Sequence, residues 1–314
     1  MNNIIIIIIL AVTMTTQVYF PAVYKQHLIF EEKRIGLDIP FPGEERAAEA
    51  ANLEVNIATI GSLIYLPTLP FARYDISVAA LDSVGIETIA ILHGTPYHMR
   101  SDNGLGVVFR DYWEEYADFC GLAASRYQQI NYFQIWNEPD IPPAYAVANY
   151  YGGWGNAPEE YAAFVSRCGS SIKWYRPDAS IAISLAGNLD WLDHFIVAGG
   201  MNYVDYVYLH YYVWWGDNQY AALAELRERL ETVEHMTNAS VWLTETNLLS
   251  QETMPEYEQA KAEWIMSLEK ALDKTNVIMV YSFQSGWNNA DINGLPAESA
   301  VRYLASKYNV NKLP

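Results

Sequence analysis

Two glutamates carry the chemistry this chain can be expected to perform. Glu138 lies in Trp136-Asn137-Glu138-Pro139, at the end of the apolar run Tyr132 to Ile135, and Glu245 lies in Trp242-Leu243-Thr244-Glu245-Thr246-Asn247, after Val241. Each is expected just past the C-terminal end of a strand, where an eight-stranded β/α barrel gathers its reacting groups. A pair of carboxyls facing one another across such a mouth suits the cleavage of a glycosidic bond. One donates a proton to the leaving oxygen while the other attacks the sugar carbon. At a carboxyl separation of about 5 to 5.5 Å the reaction is a retaining double displacement, with Glu138 as acid and then base and Glu245 as nucleophile. That division requires Glu138 to hold its proton, through burial or a neighbouring like charge, and Glu245 to stay ionised among hydrogen-bond donors.

The elements that must position this pair alternate along the chain. After a lead-in over 17–34, Ile35 to Ile39 reads as a strand stopped by Pro40 and Pro42, and Glu44 to Asn52 as the helix that follows it. Later strands are expected at Val55 to Ile60, Glu87 to Leu92, Tyr132 to Ile135, Ser180 to Leu185, Val204 to Leu209, around Val241, and at Val277 to Phe283. Helical patterns separate them, among them Asp111 to Tyr127, Glu159 to Tyr175, Ala221 to His235 and Glu256 to Leu272. Ser62 to Tyr74 shows no periodicity and is expected to form a long loop over the mouth. Eight strands alternating with helices, without a low-complexity linker, imply an α/β fold with a single (β/α)8 TIM barrel over 35–314. Counting strands puts Glu138 after the fourth and Glu245 after the seventh. Simple alternation also sets Asn137 and Glu138 on opposite faces, so both reach the mouth only if the strand is bulged or already ending there.

This pattern resembles the clan A glycoside hydrolases, with family 39 and endoglucanase-like members nearest. The likeness is carried by Trp136 to Asp140, by Val204-Asp205-Tyr206-Val207-Tyr208-Leu209-His210-Tyr211-Tyr212, and by Trp242 to Glu245. It implies that Asn137 hydrogen-bonds the sugar 2-hydroxyl, that His210 and Tyr212 orient the nucleophile, and that Trp287 floors the subsite of the cleaved sugar. One departure stands out. Members often carry an arginine at the end of strand two, whereas Val55 to Ile60 has none, and Arg73 and Arg100 lie in later loops.

Other residues are read without that likeness. His93, after the third strand, is either a ligand for a sugar hydroxyl or a structural histidine. Of Trp214 and Trp215, one is expected to stack on substrate while the other packs. Asp38 is a candidate to bind a sugar hydroxyl, against the commoner solvated loop carboxylate. Tyr150 to Gly155 is Gly-rich but lacks the Gly-Lys-Ser/Thr of a phosphate loop, and is expected to form an aromatic loop beside Glu138. No His-Glu-x-x-His or cysteine pair at zinc spacing is present, so no metal and no cofactor is expected. No Gly-x-Ser-x-Gly elbow occurs either. Cys120 and Cys168 sit in adjacent helices and could form a disulfide or stay as two small buried hydrophobes.

A net charge of −18 opposes a nucleic-acid backbone or an anionic membrane surface as partner, since both need a basic footprint. It is compatible with a neutral carbohydrate, and no protein partner is implied. Met1 to Val12, with six consecutive isoleucines, has the length of a signal-peptide apolar segment and is too short to span a bilayer. A signal peptide over 1–16 and export follow as the expectation, with an uncleaved anchor as the alternative. Two further functions fit the same residues. A transglycosidase would pass the glycosyl-enzyme to a sugar instead of water, and a glycan-binding barrel would keep the cleft without turnover.

Overall fold

The computed structural model describes residues 32–39, 42–63, 71–100, 107–146, 152–281 and 289–309, so the expected signal peptide over 1–16 and nearly all of the lead-in lie outside it. Eight parallel strands close in sequence order into a barrel, β1 to β8, with β8 pairing back on β1. They run Arg34–Ile39, Ile57–Leu63, Glu87–Leu92, Tyr132–Ile135, Ser180–Leu185, Tyr206–Trp214, Ser240–Leu249 and Val277–Tyr281. Eight helices, α1 to α8, follow them: Glu44–Asn52, Ala72–Ser83, Trp113–Arg126, Pro158–Tyr175, Leu189–Val197, Gln219–Thr237, Pro255–Ser267 and Pro296–Tyr308. The single TIM barrel expected from the alternation is the fold. No described helix is long and apolar enough to cross a membrane.

Period-two alternation sorts each strand into an outer face against the helices and an inner face inside the barrel. On β1, Ile35, Leu37 and Ile39 join the core beneath the helices, whereas Arg34, Gly36 and Asp38 take the other parity. The barrel interior is packed by Ile57, Ile89, Ala182, Tyr206, Tyr208, Trp242, Val277 and Met279. Gly36 makes this filling possible, because a Cβ there would stand 2.5 Å from the Ile57 carbonyl and 3.1 Å from Met279. Above the apolar layer the same parity delivers Asp38, Thr59, Gln134, Ser184, His210 and Tyr281, one from each of six strands.

Two strands outrun the expectation. β6 continues to Trp214 and β7 to Leu249, paired in register from His210↔Glu245 to Trp214↔Leu249. Glu245, His210, Tyr212 and Trp214 therefore lie within strands, not after them, because β6 and β7 pair with each other beyond the mouth. The expected loop Ser62 to Tyr74 also shrinks, since β2 reaches Leu63 and α2 begins at Ala72; 64–70 lie outside the described residues. Cys120 and Cys168 are buried free thiols on α3 and α4, and burial and the hydrogen bond with Cys168 push the Cys120 thiol up. Their helices approach closely where Gly121 faces Ser171 and Tyr175.

Candidate active site

The fourth strand ends abruptly, and that ending aims Glu138. β4 stops at Ile135, after which Trp136 (φ 68°) and Glu138 (φ 46°) both take left-handed backbone, costly for residues with a Cβ. The turn is held from three sides. Gln134 Nε2 donates to the Trp136 carbonyl (2.8 Å), to Asn137 Oδ1 (3.1 Å) and to Ser184 Oγ (3.0 Å). Ser184 Oγ accepts from the Glu138 amide at 2.9 Å. Asp140, two residues on, accepts from three consecutive amides after β5, those of Ala186, Gly187 and Asn188, at 2.9 to 3.0 Å. The parity problem of Asn137 and Glu138 is thus resolved by chain reversal, and a barrel-interior glutamine and serine meet its backbone needs.

The seventh strand uses a different device. Leu209 pairs with Leu243, but the next residue, His210, pairs with Glu245, so β7 carries one extra residue at Thr244. A bulge of this kind puts Glu245 back in phase with Trp242 on the inner face. Its side chain then meets Tyr212, whose hydroxyl donates to Glu245 Oε2 at 2.7 Å. His210 Nδ1 stands 2.9 Å from Glu138 Oε1 and 3.4 Å from Glu245 Oε2, so one imidazole bridges both carboxyls. One oxygen of each glutamate and a His210 ring nitrogen all lie within 4.8 Å of one another. Three such donors could also hold a divalent cation, which makes chelation a useful control.

Asp38 is the third carboxyl of the mouth. It is 5 % exposed, lies within β1 and accepts a hydrogen bond from Thr59 Oγ1 on β2, so the solvated-loop reading is overturned. Burial pushes Asp38 up to about 6, against the pull of Thr59 and His210. Burial also raises Glu245, to about 8; Asp38 and Glu138 add to the rise, while His210 and Tyr212 oppose it. Glu245, 9 % exposed among like charges, therefore holds a proton more tightly than an exposed carboxyl would, and His210 and Tyr212 are the groups that favour its ionised form. For His210, burial opposes the charge, yet Glu245, Glu138 and Asp38 carry it to about 9. The mouth therefore gathers three carboxyls around one imidazole.

The remaining sequence candidates are spread more widely. Asn137 is half-buried beside Glu138, with its Oδ1 taken by Gln134 and Ser184. His93 is buried and packs edge-on against Trp136, ring centres 4.4 Å apart. Trp214 is 44 % exposed and Trp215 37 %, and Trp215 sets its edge against Tyr257. Trp287 lies outside the described residues. The Nε of Arg100 donates to the Thr95 carbonyl. Of the Gly-rich stretch, Gly152 and Trp154 are buried behind Trp136, whose Nε1 donates to the Gly152 carbonyl. Sequence reasoning missed Gln134, Ser184, Thr59 and Tyr281, all of which strand parity would have put on the inner face. It also gave Asp140 no task, although it closes the Glu138 motif.

The family described as "Glycosyl hydrolase catalytic core" matches residues 111–306, well over half of the chain, including Glu138, His210 and Glu245. The chain belongs to that family. It is a glycoside hydrolase. Solved structures share the fold at low identity. A family 39 glycoside hydrolase from the gut symbiont Bacteroides cellulosilyticus is 14% identical, with a TM-score of 0.62 over 88% of this chain and 64% of its own. An endo-β-1,4-mannanase from Thermotoga petrophila is 14% identical, with a TM-score of 0.59 over 90% of this chain and 78% of its own. A fungal β-1,4-galactanase is 13% identical, with a TM-score of 0.63 over 87% of this chain and 99% of its own. No curated protein matches by sequence.

Proposed function

We propose that this glycoside hydrolase cleaves β-glycosidic bonds of a poly- or oligosaccharide with retention, Glu138 serving as acid and then base and Glu245 as nucleophile. The observation that carries the reading is the approach of the two carboxyls, with an oxygen of each within 4.8 Å. Double displacement uses a separation of about 5 to 5.5 Å, whereas an inverting pair stands about 6.5 to 9.5 Å apart to admit a water. A retaining pair needs one proton between its two carboxyls, and like charges this close disfavour the ionisation of both. Tyr212 supports one placement of that proton. Its hydroxyl donates to Glu245 Oε2 and, with His210, favours the ionised form that attack requires, while Glu138 gives a proton to the leaving oxygen. Attack by Glu245 on the anomeric carbon forms the glycosyl-enzyme, and Glu138, now a base, activates the water that releases the sugar. His210, touching both carboxyls, compensates the negative charge that passes from one to the other.

The test is reducing-end release from a panel of plant, fungal and bacterial β-glycans, by wild type beside Glu138→Gln and Glu245→Gln, with and without a chelator. Release by wild type alone, unchanged by the chelator, is the expected result. Equal release by either glutamine variant, or activity lost with the metal, would remove the pair from its assigned role.

A further inference from the structure

The extension of β6 beyond the mouth places an aromatic ring where the hydrolytic pair alone has no use for one. Tyr206 and Tyr208 belong to the barrel interior, His210 and Tyr212 reach the two glutamates, and Trp214 is next on that face of the strand. The intervening residues take the other face: Val213 is buried in the core beneath the helices, and Tyr211 reaches Glu225 on α6. Four residues at about 3.3 Å each set Trp214 about 13 Å along the strand from His210, further than one sugar ring extends.

The backbone that carries the ring is held in place. The Trp214 amide donates to Asp217 Oδ2 at 3.1 Å, its carbonyl accepts from the Asp217 amide at 3.0 Å, and the Trp215 amide donates to the Leu249 carbonyl at 2.8 Å. Pairing with β7 continues up to Trp214↔Leu249, so the support is sheet, not loop. An exposed indole on a backbone fixed in this way offers its face to a partner at a lower ordering cost than one on a free loop. The partner that continues from the bond-cleaving pair is the substrate itself. Its chemistry is limited by charge, because the platform is held by Asp217 in a chain of net charge −18, which repels a uronic-acid polymer.

We propose that Trp214 stacks on a sugar ring at least one unit removed from the bond cleaved, so that the substrate is a chain of neutral β-linked sugars and not the glycoside of a single sugar. This rests on the retaining-glycosidase reading above. The experiment measures kcat/KM on neutral β-linked oligosaccharides from two to six units, and on an aryl glycoside, for wild type, Trp214→Ala and Trp214→Phe. Wild type should improve with length. The alanine variant should lose about tenfold on the longest substrates and progressively less on shorter ones, with phenylalanine restoring part of the loss. A loss equal at every length, or none, would overturn the proposal. If wild type turns over nothing, the catalytic reading has failed separately, and calorimetry with Glu138→Gln decides this one. Affinity that rises with chain length and falls with Trp214→Ala supports it; no binding of neutral chains, or tighter binding of a uronic-acid chain, refutes it.

Discussion

The two ends of the barrel both hold charge inside a closed sheet, and they treat it in opposite ways. At the N-terminal end Arg34 lies against Glu87 in an ion pair, its guanidinium 5.1 Å from the Trp242 ring centre and 5.8 Å from that of Tyr132. Asn131 donates to the other Glu87 oxygen. One cation meets one anion, and the aromatic faces take up the rest of the positive field. At the C-terminal end Asp38, Glu138 and Glu245 crowd around His210, the one cationic partner among the described residues, with hydroxyl donors from Thr59 and Tyr212. Matched charge stabilises the fold, whereas surplus charge held by the surrounding packing stores free energy that chemistry can use.

The comparison is broken most severely at Glu245. Glu245→Gln should cost at least about a thousandfold in turnover, and so should Glu138→Gln. The same Glu245→Gln change should raise the melting temperature at pH 8. Burial holds the folded-state value of Glu245 at about 8, above that of an unfolded carboxylate, so the wild-type carboxyl favours the fold at low pH and that contribution is lost as pH rises through 8. The variant should therefore gain on wild type between pH 5 and pH 8 in a calorimetric series. A gain that is flat with pH would contradict surplus charge at the mouth.

Asp38→Asn sharpens the comparison further. Asp38 ionises at about 6 and then raises Glu245, so its removal should move the acid limb of kcat/KM to lower pH by about one unit. An acid limb that stays in place would detach Asp38 from the catalytic group. The smallest effect on activity belongs to the opposite end. Arg34→Met should lower stability by about 1 to 3 kcal/mol in denaturant unfolding, since the guanidinium side chain is 16 % exposed, while kcat/KM below the transition stays as in wild type. Lost activity without lost stability would erase the division between the two ends.

Most of the barrel was legible because strand runs, helix starts and turn residues agree with one another, and eight alternations admit few other folds. Boundaries failed where pairing continued past the mouth. Nothing in Tyr211-Tyr212-Val213-Trp214 distinguishes a strand from an aromatic loop until β7 is found beside it. Glu138 and Glu245 were found from their motifs, yet simple alternation misplaces Asn137 and Glu245. The reversal through Trp136 and Glu138 depends on Gln134 and Ser184, and the bulge at Thr244 has no signature in residue type. Asp38 was read as a candidate without its burial, because a carboxylate beside two prolines looks like a loop until the closing strands cover it. The missing arginine of strand two is explained in part by what stands on that strand instead. Thr59 donates to Asp38, and His210 is the cation beside Glu245 among the described residues.

The paired-carboxyl account is tested most directly by the configuration of the first product. Proton NMR of a neutral β-linked oligosaccharide during the opening minutes of hydrolysis should show the β-anomer of the new reducing end first, with the α-anomer growing only through mutarotation. The α-anomer appearing first would mean that water, not Glu245, attacks the anomeric carbon, and would contradict the double displacement that the approach of Glu138 and Glu245 supports.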